Sequence, residues 1–413
     1  MSGDGAVPVD LSADTGGVDE RPNRLHYLDW LRVLLILGVF LYHALHPFDS
    51  TIEWHIKNDE QSIFVMIFLI LILPWGLPLF FLVAGAGSKF SLRRRSNRQY
   101  IRERVLRLGI PFVVGSILLT PLQKYFEALH KGTYDGSFFG YIPELWGDIA
   151  PTTWFSPLTL TELGLHLWFL AFLFLYSILA VPIFDWFRRD SGRSFISRLG
   201  RLVERRGGIL LFVIPLTLVR VGIQPFFPEE HGWLDFVYSF AFFIMGYVIY
   251  SDKRFLRVIH RDRWLLLTCG LAGMAGGGAM GAVAGDELFE WTETFTMPWS
   301  IIVMLTFALT AWGWALFVLD LARTHLDSPS RLLAYGNETI MPFYLLHQPV
   351  IILIAYWVVQ LDAAIFPKAL IVVAGSLLIT LGLIEVLIRP FKPIRMLFGM
   401  KPRRQKEQLS AAA

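Results

Sequence analysis

The sequence predicts an all-α integral membrane protein, a bundle of about ten transmembrane helices with both termini cytoplasmic. Three observations lead there. The 413-residue chain is 54% hydrophobic and only 17% charged, unlike a soluble chain of this size. Many windows exceed the ~18 apolar residues needed to cross a bilayer. Basic residues crowd alternate connecting loops, the pattern of a chain threaded back and forth through a membrane.

The expected spans are 29–48, 62–85, 105–122, 163–184, 209–224, 233–250, 264–284, 299–321, 338–359 and 366–388. The third and fifth are short and contain proline. One set of connections is dense in Lys and Arg: "SKFSLRRRSNRQYIRER", "FRRDSGRSFISRLGRLVERR", "SDKRFLRVIHRDR" and the tail "RPFKPIRMLFGMKPRRQKEQ". The other set is acidic: "FDSTIEWHIKNDEQ", "FFPEEHG" and "GDELFEWTET". With the N-terminal tail and the 322–337 loop, the first set holds 30 basic residues; the second, with 123–161, holds three. That asymmetry places the basic loops and both termini in the cytoplasm, and the protein in the inner (cell) membrane as a multi-pass chain.

Residues 1–27 are polar and rich in Gly, Asp and Ser, and read as a disordered cytoplasmic tail. Residues 28–390 read as one integral domain, and 391–413 as a basic cytoplasmic tail. The first apolar run lacks a small-residue cleavage site and is long enough to remain as an anchor. The single cysteine, Cys269, lies in an apolar segment. It excludes a disulfide within the chain and argues against a zinc–thiolate site or a cysteine nucleophile. No metal, bound cofactor or nucleic-acid partner is expected. The seventh span, "GLAGMAGGGAMGAVAG", is packed with small residues and reads as a surface for close helix approach.

The chemistry lies in polar residues inside these apolar runs, which must face protein or a water-filled cavity. In "LDWLRVLLILGVFLYHALHPF", residues 28–48, a rotation of about 100° per residue puts Asp29, Arg32, His43 and His46 on one stripe. Arg32 and His43 lie about 16 Å apart along the axis. Asp29 and Arg32 read either as an interfacial i,i+3 pair or as part of a site. Two imidazoles one turn apart are hard to justify as packing, and imidazole suits proton transfer near neutral pH.

Three further stretches stand out. In "YGNETIMPFYLLHQPV", His347 lies between Pro342 and Pro349, which should free backbone carbonyls locally. Asn337 and Glu338 look like the start of that helix, with Asn337 as cap. His347 reads either as a catalytic or substrate-binding group or as a structural hydrogen bonder. In "TELGLHLWFL", Glu162 and His166 are one turn apart at a depth similar to that of His43, and Trp168 follows. In "RERVLRLGIP", Arg104 and Arg107 enter the third span at its basic end. Arginine pairs suit phosphate through bidentate bonds, although positive-inside anchoring explains the neighbouring "RRRSNR".

Together these four stretches resemble the acyltransferase-3 family of integral membrane acyltransferases. Arg32 and His43 match its first-span basic residue, ten residues, then histidine. "PLFFLVAG" at 78–85 is similar to its "FF..SG" stretch, "RERVLRLGIP" to its Arg-x-x-Arg entry, and "YLLHQP" to its late "YL.H.P". The order and rough spacing match over residues ~24 to ~390. Many members carry an acidic residue after the span-four "W.L"; here "LWFLAFLF" has none, and Glu162 lies upstream.

The resemblance implies an acyl-CoA donor on the cytoplasmic side and a hydroxyl acceptor, usually a sugar, outside. Donor phosphates would meet Arg104 and Arg107. His43, with Arg32 and His347, would carry the chemistry, while His46, Glu162, His166 and Trp168 would hold the acceptor. Direct attack by a deprotonated hydroxyl and a two-step path through an acyl-histidine both remain open. The alternative class is a proton-coupled secondary transporter, which buried His and Arg also suit, but repeated halves and paired broken helices are not visible.

Overall fold

The computed structural model describes residues 25–50, 54–148, 156–285 and 298–401. Most of the expected N-terminal tail and residues 402–413 of the C-terminal one lie outside the described residues. The described chain is helical, without a strand. In order the helices are α1 (His26–Leu45), α2 (Ile63–Leu92), α3 (Asn97–Arg104), α4 (Ile110–Lys131), α5 (Phe138–Asp148), α6 (Pro157–Gly164) and α7 (Trp168–Leu179). Then come α8 (Val181–Arg188), α9 (Asp190–Val203), α10 (Val213–Ile223), α11 (Trp233–Ile249), α12 (Lys253–Arg261) and α13 (Arg263–Ala284). The last four are α14 (Pro298–His325), α15 (Arg331–Val358), α16 (Ile365–Leu383) and α17 (Lys392–Leu397).

Among the described residues, eight helical segments are long and apolar enough to cross a membrane. This corrects the expectation of about ten full-length spans. The two segments expected at 209–224 and 233–250 are helical but shorter: Gly208–Ile223 begins with a 3₁₀ stretch, and Trp233–Ile249 bends by 104° into α12. The bend has a local cause. Asp252 is extended and its side chain accepts from the Arg254 amide, so it starts a new helix rather than continuing the old one.

The helix ends follow capping rules. Ser96 and Gln99 form a reciprocal capping box at the start of α3. Gly132, at φ +67°, closes α4 in the left-handed conformation that glycine tolerates best. Helix α1 has no side-chain cap of its own, and the Tyr27 amide is taken by Asp327 Oδ1 at 3.3 Å, from the loop before α15. Helix α15 starts at Ser330, whose hydroxyl accepts from the Leu333 amide, not at Asn337 as expected. Asn337 lies inside the helix, and Glu338 is held by Arg389 and Arg395, each at 3.2 Å. Through Arg395 the short α17 is tied to Glu338 of α15.

Small residues set the tightest crossings. A Cβ on Gly85 of α2 would collide with the Phe243 carbonyl of α11, and one on Gly246 with the Leu82 carbonyl. The two glycines therefore form a reciprocal backbone contact. In the small-residue span α13, Gly270 faces Trp314 and Gly273 faces Thr306 and Thr310 of α14, as expected for close approach. Around these contacts sits an aromatic core including Phe81, Tyr176, Phe184, Phe243 and Tyr247.

Candidate active site

A cavity of about 1100 Å³ runs through the bundle. Its walls are largely apolar. At one end they include Leu31, Leu321 and His325, and at the other His43, Trp54, His55, His166 and Gln348. These polar-end residues come from four places in the chain: α1, the 54–62 loop, the α6–α7 corner and α15.

His43 comes from the stripe on α1. Ile36, Val39 and His46 of the same stripe also face the cavity. The His43 Nδ1 is buried without a hydrogen-bond partner. Its ring stacks at 6.3 Å on Trp54 and lies 5.4 Å from His347.

His347 is wholly buried and lies behind this wall rather than in it. Its Nδ1 donates to the Tyr344 carbonyl at 2.6 Å, which fixes the tautomer and leaves a lone pair on Nε2. That Nε2 has no protein partner. His347 thus stands between His43 and His166, whose ring is 5.2 Å away.

The expected single helical turn joining Glu162 to His166 is not formed. Helix α6 ends at Gly164, Leu165 adopts φ +49°, and a 3₁₀ turn carries His166 into α7. The break turns His166 inward and leaves Glu162 exposed, outside the cavity wall. His166 Nε2 then donates to the Leu345 carbonyl at 3.2 Å. Pro349, four residues on, has no N–H to offer that carbonyl, so the histidine replaces the missing helical donor. The Tyr344 hydroxyl donates back to the His166 carbonyl, closing a two-way clamp between the corner and α15. Trp168 is buried on the same wall, its ring 4.2 Å from His231.

His46 lines the cavity but is engaged. Its Nδ1 pairs with the buried carboxylate of Asp49. Lys57 closes the cluster, its Nζ 3.2 Å from Asp49 Oδ1 and 2.9 Å from the His46 carbonyl. These bonds, with the Asn58 amide on the Pro47 carbonyl at 2.9 Å, pin the loop that carries Trp54 and His55.

The arginines gather at the opposite end of α1. Arg32 donates to Asp29 at 3.1 Å, so the acidic residue does hold this guanidinium. Arg107 sits on a π-helical turn, Val105–Gly109, between α3 and α4. Such one-turn insertions are frequent at functional sites. Its charge is felt alongside those of Glu103, Arg104, Arg32 and Arg95. The Nε atoms of Arg104 and Arg107 are buried without partners, and Arg104 stacks on Tyr100 at 4.7 Å. None of the three arginines lines the cavity itself.

Sequence reasoning did not single out Trp54, His55, Glu127 or Gln348. His55 Nδ1 lies 2.6 Å from Glu127 Oε2, and its Nε2 lies 3.3 Å from Gln348 Nε2. Burial pushes the His55 imidazole below its ordinary pKa, against the pull of Glu127. The available signal was "TIEWHIK", a Trp–His pair inside an otherwise acidic connection. Among the described residues no group of His, Cys, Asp and Glu is arranged to hold a metal ion.

The fold and cavity define a polytopic helical membrane protein with a histidine-lined cavity end and, toward the other end of α1, a cluster of arginines. A family model described as an acyltransferase domain matches residues 25–385, and the chain belongs to this acyltransferase-3 family. The chain is similar to proteins named glucans biosynthesis protein C from Salmonella agona (strain SL483) and Salmonella paratyphi A (strain ATCC 9150 / SARB42). Each is 24% identical over 406 residues, covering 94% of this chain and 98% of the relative. No solved structure matches the chain.

Proposed function

We propose that this membrane acyltransferase moves an acetyl or succinyl group from cytoplasmic acyl-CoA to a hydroxyl of a carbohydrate outside the cell membrane. The observation that carries the reading is the histidine pair. His43 and His347, brought together from α1 and α15, each hold a buried ring nitrogen without a protein partner, beside the cavity. An unpartnered buried imidazole is costly unless a ligand or a proton uses it.

In this reading both termini and the Arg-rich loops lie in the cytoplasm. The donor's phosphates meet Arg104 and Arg107, with Arg32 nearby, and its thioester arm enters the apolar cavity. The acceptor arrives at the opposite mouth, where Trp168 and His166 form a wall. Glu162, being exposed, takes no part.

His43 removes the acceptor's hydroxyl proton as the oxygen attacks the thioester carbon. Collapse of the tetrahedral intermediate breaks the carbon–sulfur bond, and the leaving thiolate takes the proton from His43. His347 acts behind it, its Nε2 lone pair stabilising the imidazolium. The names of the relatives make a glucan the first acceptor to try.

The test is transfer of label from acetyl- or succinyl-CoA in proteoliposomes. The His43→Ala protein, folded as judged by its melting curve, should lose transfer. Transfer at the wild-type rate would remove His43 from the mechanism.

A further inference from the structure

The chain Glu127–His55–Gln348 reaches the cavity without being needed for proton removal by His43. Its chemistry has one consistent arrangement. Glu127 is flanked by Lys124 at 3.0 Å and Lys131 at 2.8 Å, so it is a carboxylate and only accepts. His55 must therefore carry its proton on Nδ1, facing Glu127 at 2.6 Å. In the neutral ring the Nε2 is then a lone pair. Gln348, 3.3 Å away, must turn its NH₂ toward that lone pair. Its carbonyl oxygen is left over, and this atom is buried without any partner on a side chain only 2% exposed that lines the cavity.

The same count applies next to it. His166 donates from Nε2 to the Leu345 carbonyl, so its Nδ1 is a lone pair, and it too has no partner. The Thr161 hydroxyl, also on the wall, is unpartnered. The wall beside His43 thus presents two lone pairs in search of donors, on Gln348 Oε1 and His166 Nδ1, and one hydroxyl, Thr161, that can donate or accept. An anionic group would find lone pairs there, whereas a molecule with several hydroxyls would satisfy them.

We propose that Gln348 is a substrate-binding residue whose carbonyl accepts a hydrogen bond from a second hydroxyl of the acceptor, next to the one acylated. Glu127 and His55 are positioning residues that hold the amide in the required orientation. The site thereby selects polyhydroxylated acceptors, such as glycosides, over simple alcohols. This rests on the acyl-transfer reading of the site.

The experiment compares wild type, Gln348→Leu, Gln348→Glu and His55→Phe as full-length protein in proteoliposomes. Acetyl-CoA or succinyl-CoA is the donor and methyl β-glucoside or ethanol the acceptor. Gln348→Leu and His55→Phe should raise KM for the glucoside about tenfold. KM for the donor should not move. Gln348→Glu removes the NH₂ but draws a proton onto His55 Nε2, which then lies between two carboxylates; it keeps an acceptor oxygen toward the cavity and should retain the wild-type KM for the glucoside. An unchanged glucoside KM in Gln348→Leu overturns the proposal, as does a parallel loss of kcat and stability in both Gln348 variants. A second readout is independent of turnover: stabilisation of detergent-solubilised protein against heat by methyl β-glucoside. It should be present in wild type and Gln348→Glu and absent in Gln348→Leu. If no variant transfers acyl groups yet this pattern appears, the acyl-transfer reading fails and the binding role of Gln348 stands; equal stabilisation of all variants overturns that role.

Discussion

His166 Nε2 donates to the Leu345 carbonyl at 3.2 Å, and that carbonyl is the one Pro349 leaves without a helical donor. A proline in α15 and a helix break at Gly164 thus form two halves of one contact. Replacing Pro349 with Ala should restore the intrahelical bond and displace His166. The expected result is a folded protein with reduced acyl transfer. His166→Ala should instead leave the carbonyl unsatisfied and lower stability by about 1–3 kcal/mol. Melting curves in detergent, read beside transfer rates, check both.

The arginine cluster predicts a donor effect separable from chemistry. Arg107→Ala should weaken the response to acyl-CoA concentration about tenfold, equivalent to about 1.4 kcal/mol, with little change in rate at saturation. CoA alone should stabilise the wild-type protein against heat, since a ligand bound only to the folded state raises its melting temperature. A transported solute stabilising the protein in place of CoA would favour the transporter class instead.

Gly85 and Gly246 make the α2–α11 crossing a backbone contact. Either one changed to Ala should destabilise the bundle by at least about 1–3 kcal/mol, as overpacking does. Gly38 of α1 has nothing within 4 Å of its added Cβ, and Gly38→Ala should gain roughly 0.5–1 kcal/mol from the helix. Size-exclusion profiles after heating separate the two outcomes.

His55 predicts a pH effect. Burial lowers its pKa in the folded protein, against the pull of Glu127 and with the push of Lys124 and Lys131. The unfolded chain then binds a proton that the folded one refuses, so folding weakens as pH falls below about 6.5, the unfolded value. The loss continues down to the lowered folded value and levels off there. His55→Phe should flatten that part of the stability profile between pH 7 and 5, as measured by melting temperature against pH.

Much of this architecture was legible beforehand. Apolar length marked the long helices, and the small residues of α13 marked a tight interface. The 3.6-residue period put Arg32 and His43 on one stripe, and Asp29 does hold Arg32. Less legible were interruptions. Glu162 and His166 are correctly spaced for one turn, yet Leu165 at φ +49° separates them. Asn337 resembles a cap, yet Ser330 starts the helix a turn or two earlier.

What the sequence by itself determined is what is local: which segments are apolar enough to cross, which face of α1 is polar, and the ordered motifs that mark the family. Such features depend on chain geometry over a few residues, which periodicity reports directly. Only the tertiary structure decided that His347 would stand between His43 and His166, and that His55 would join Glu127 to Gln348. His55 and Gln348 lie 293 residues apart, and His43 and His347 farther still. Their meeting depends on which helices become neighbours, and that is set by glycine-sized crossings and by carbonyls that prolines leave open, not by any local pattern.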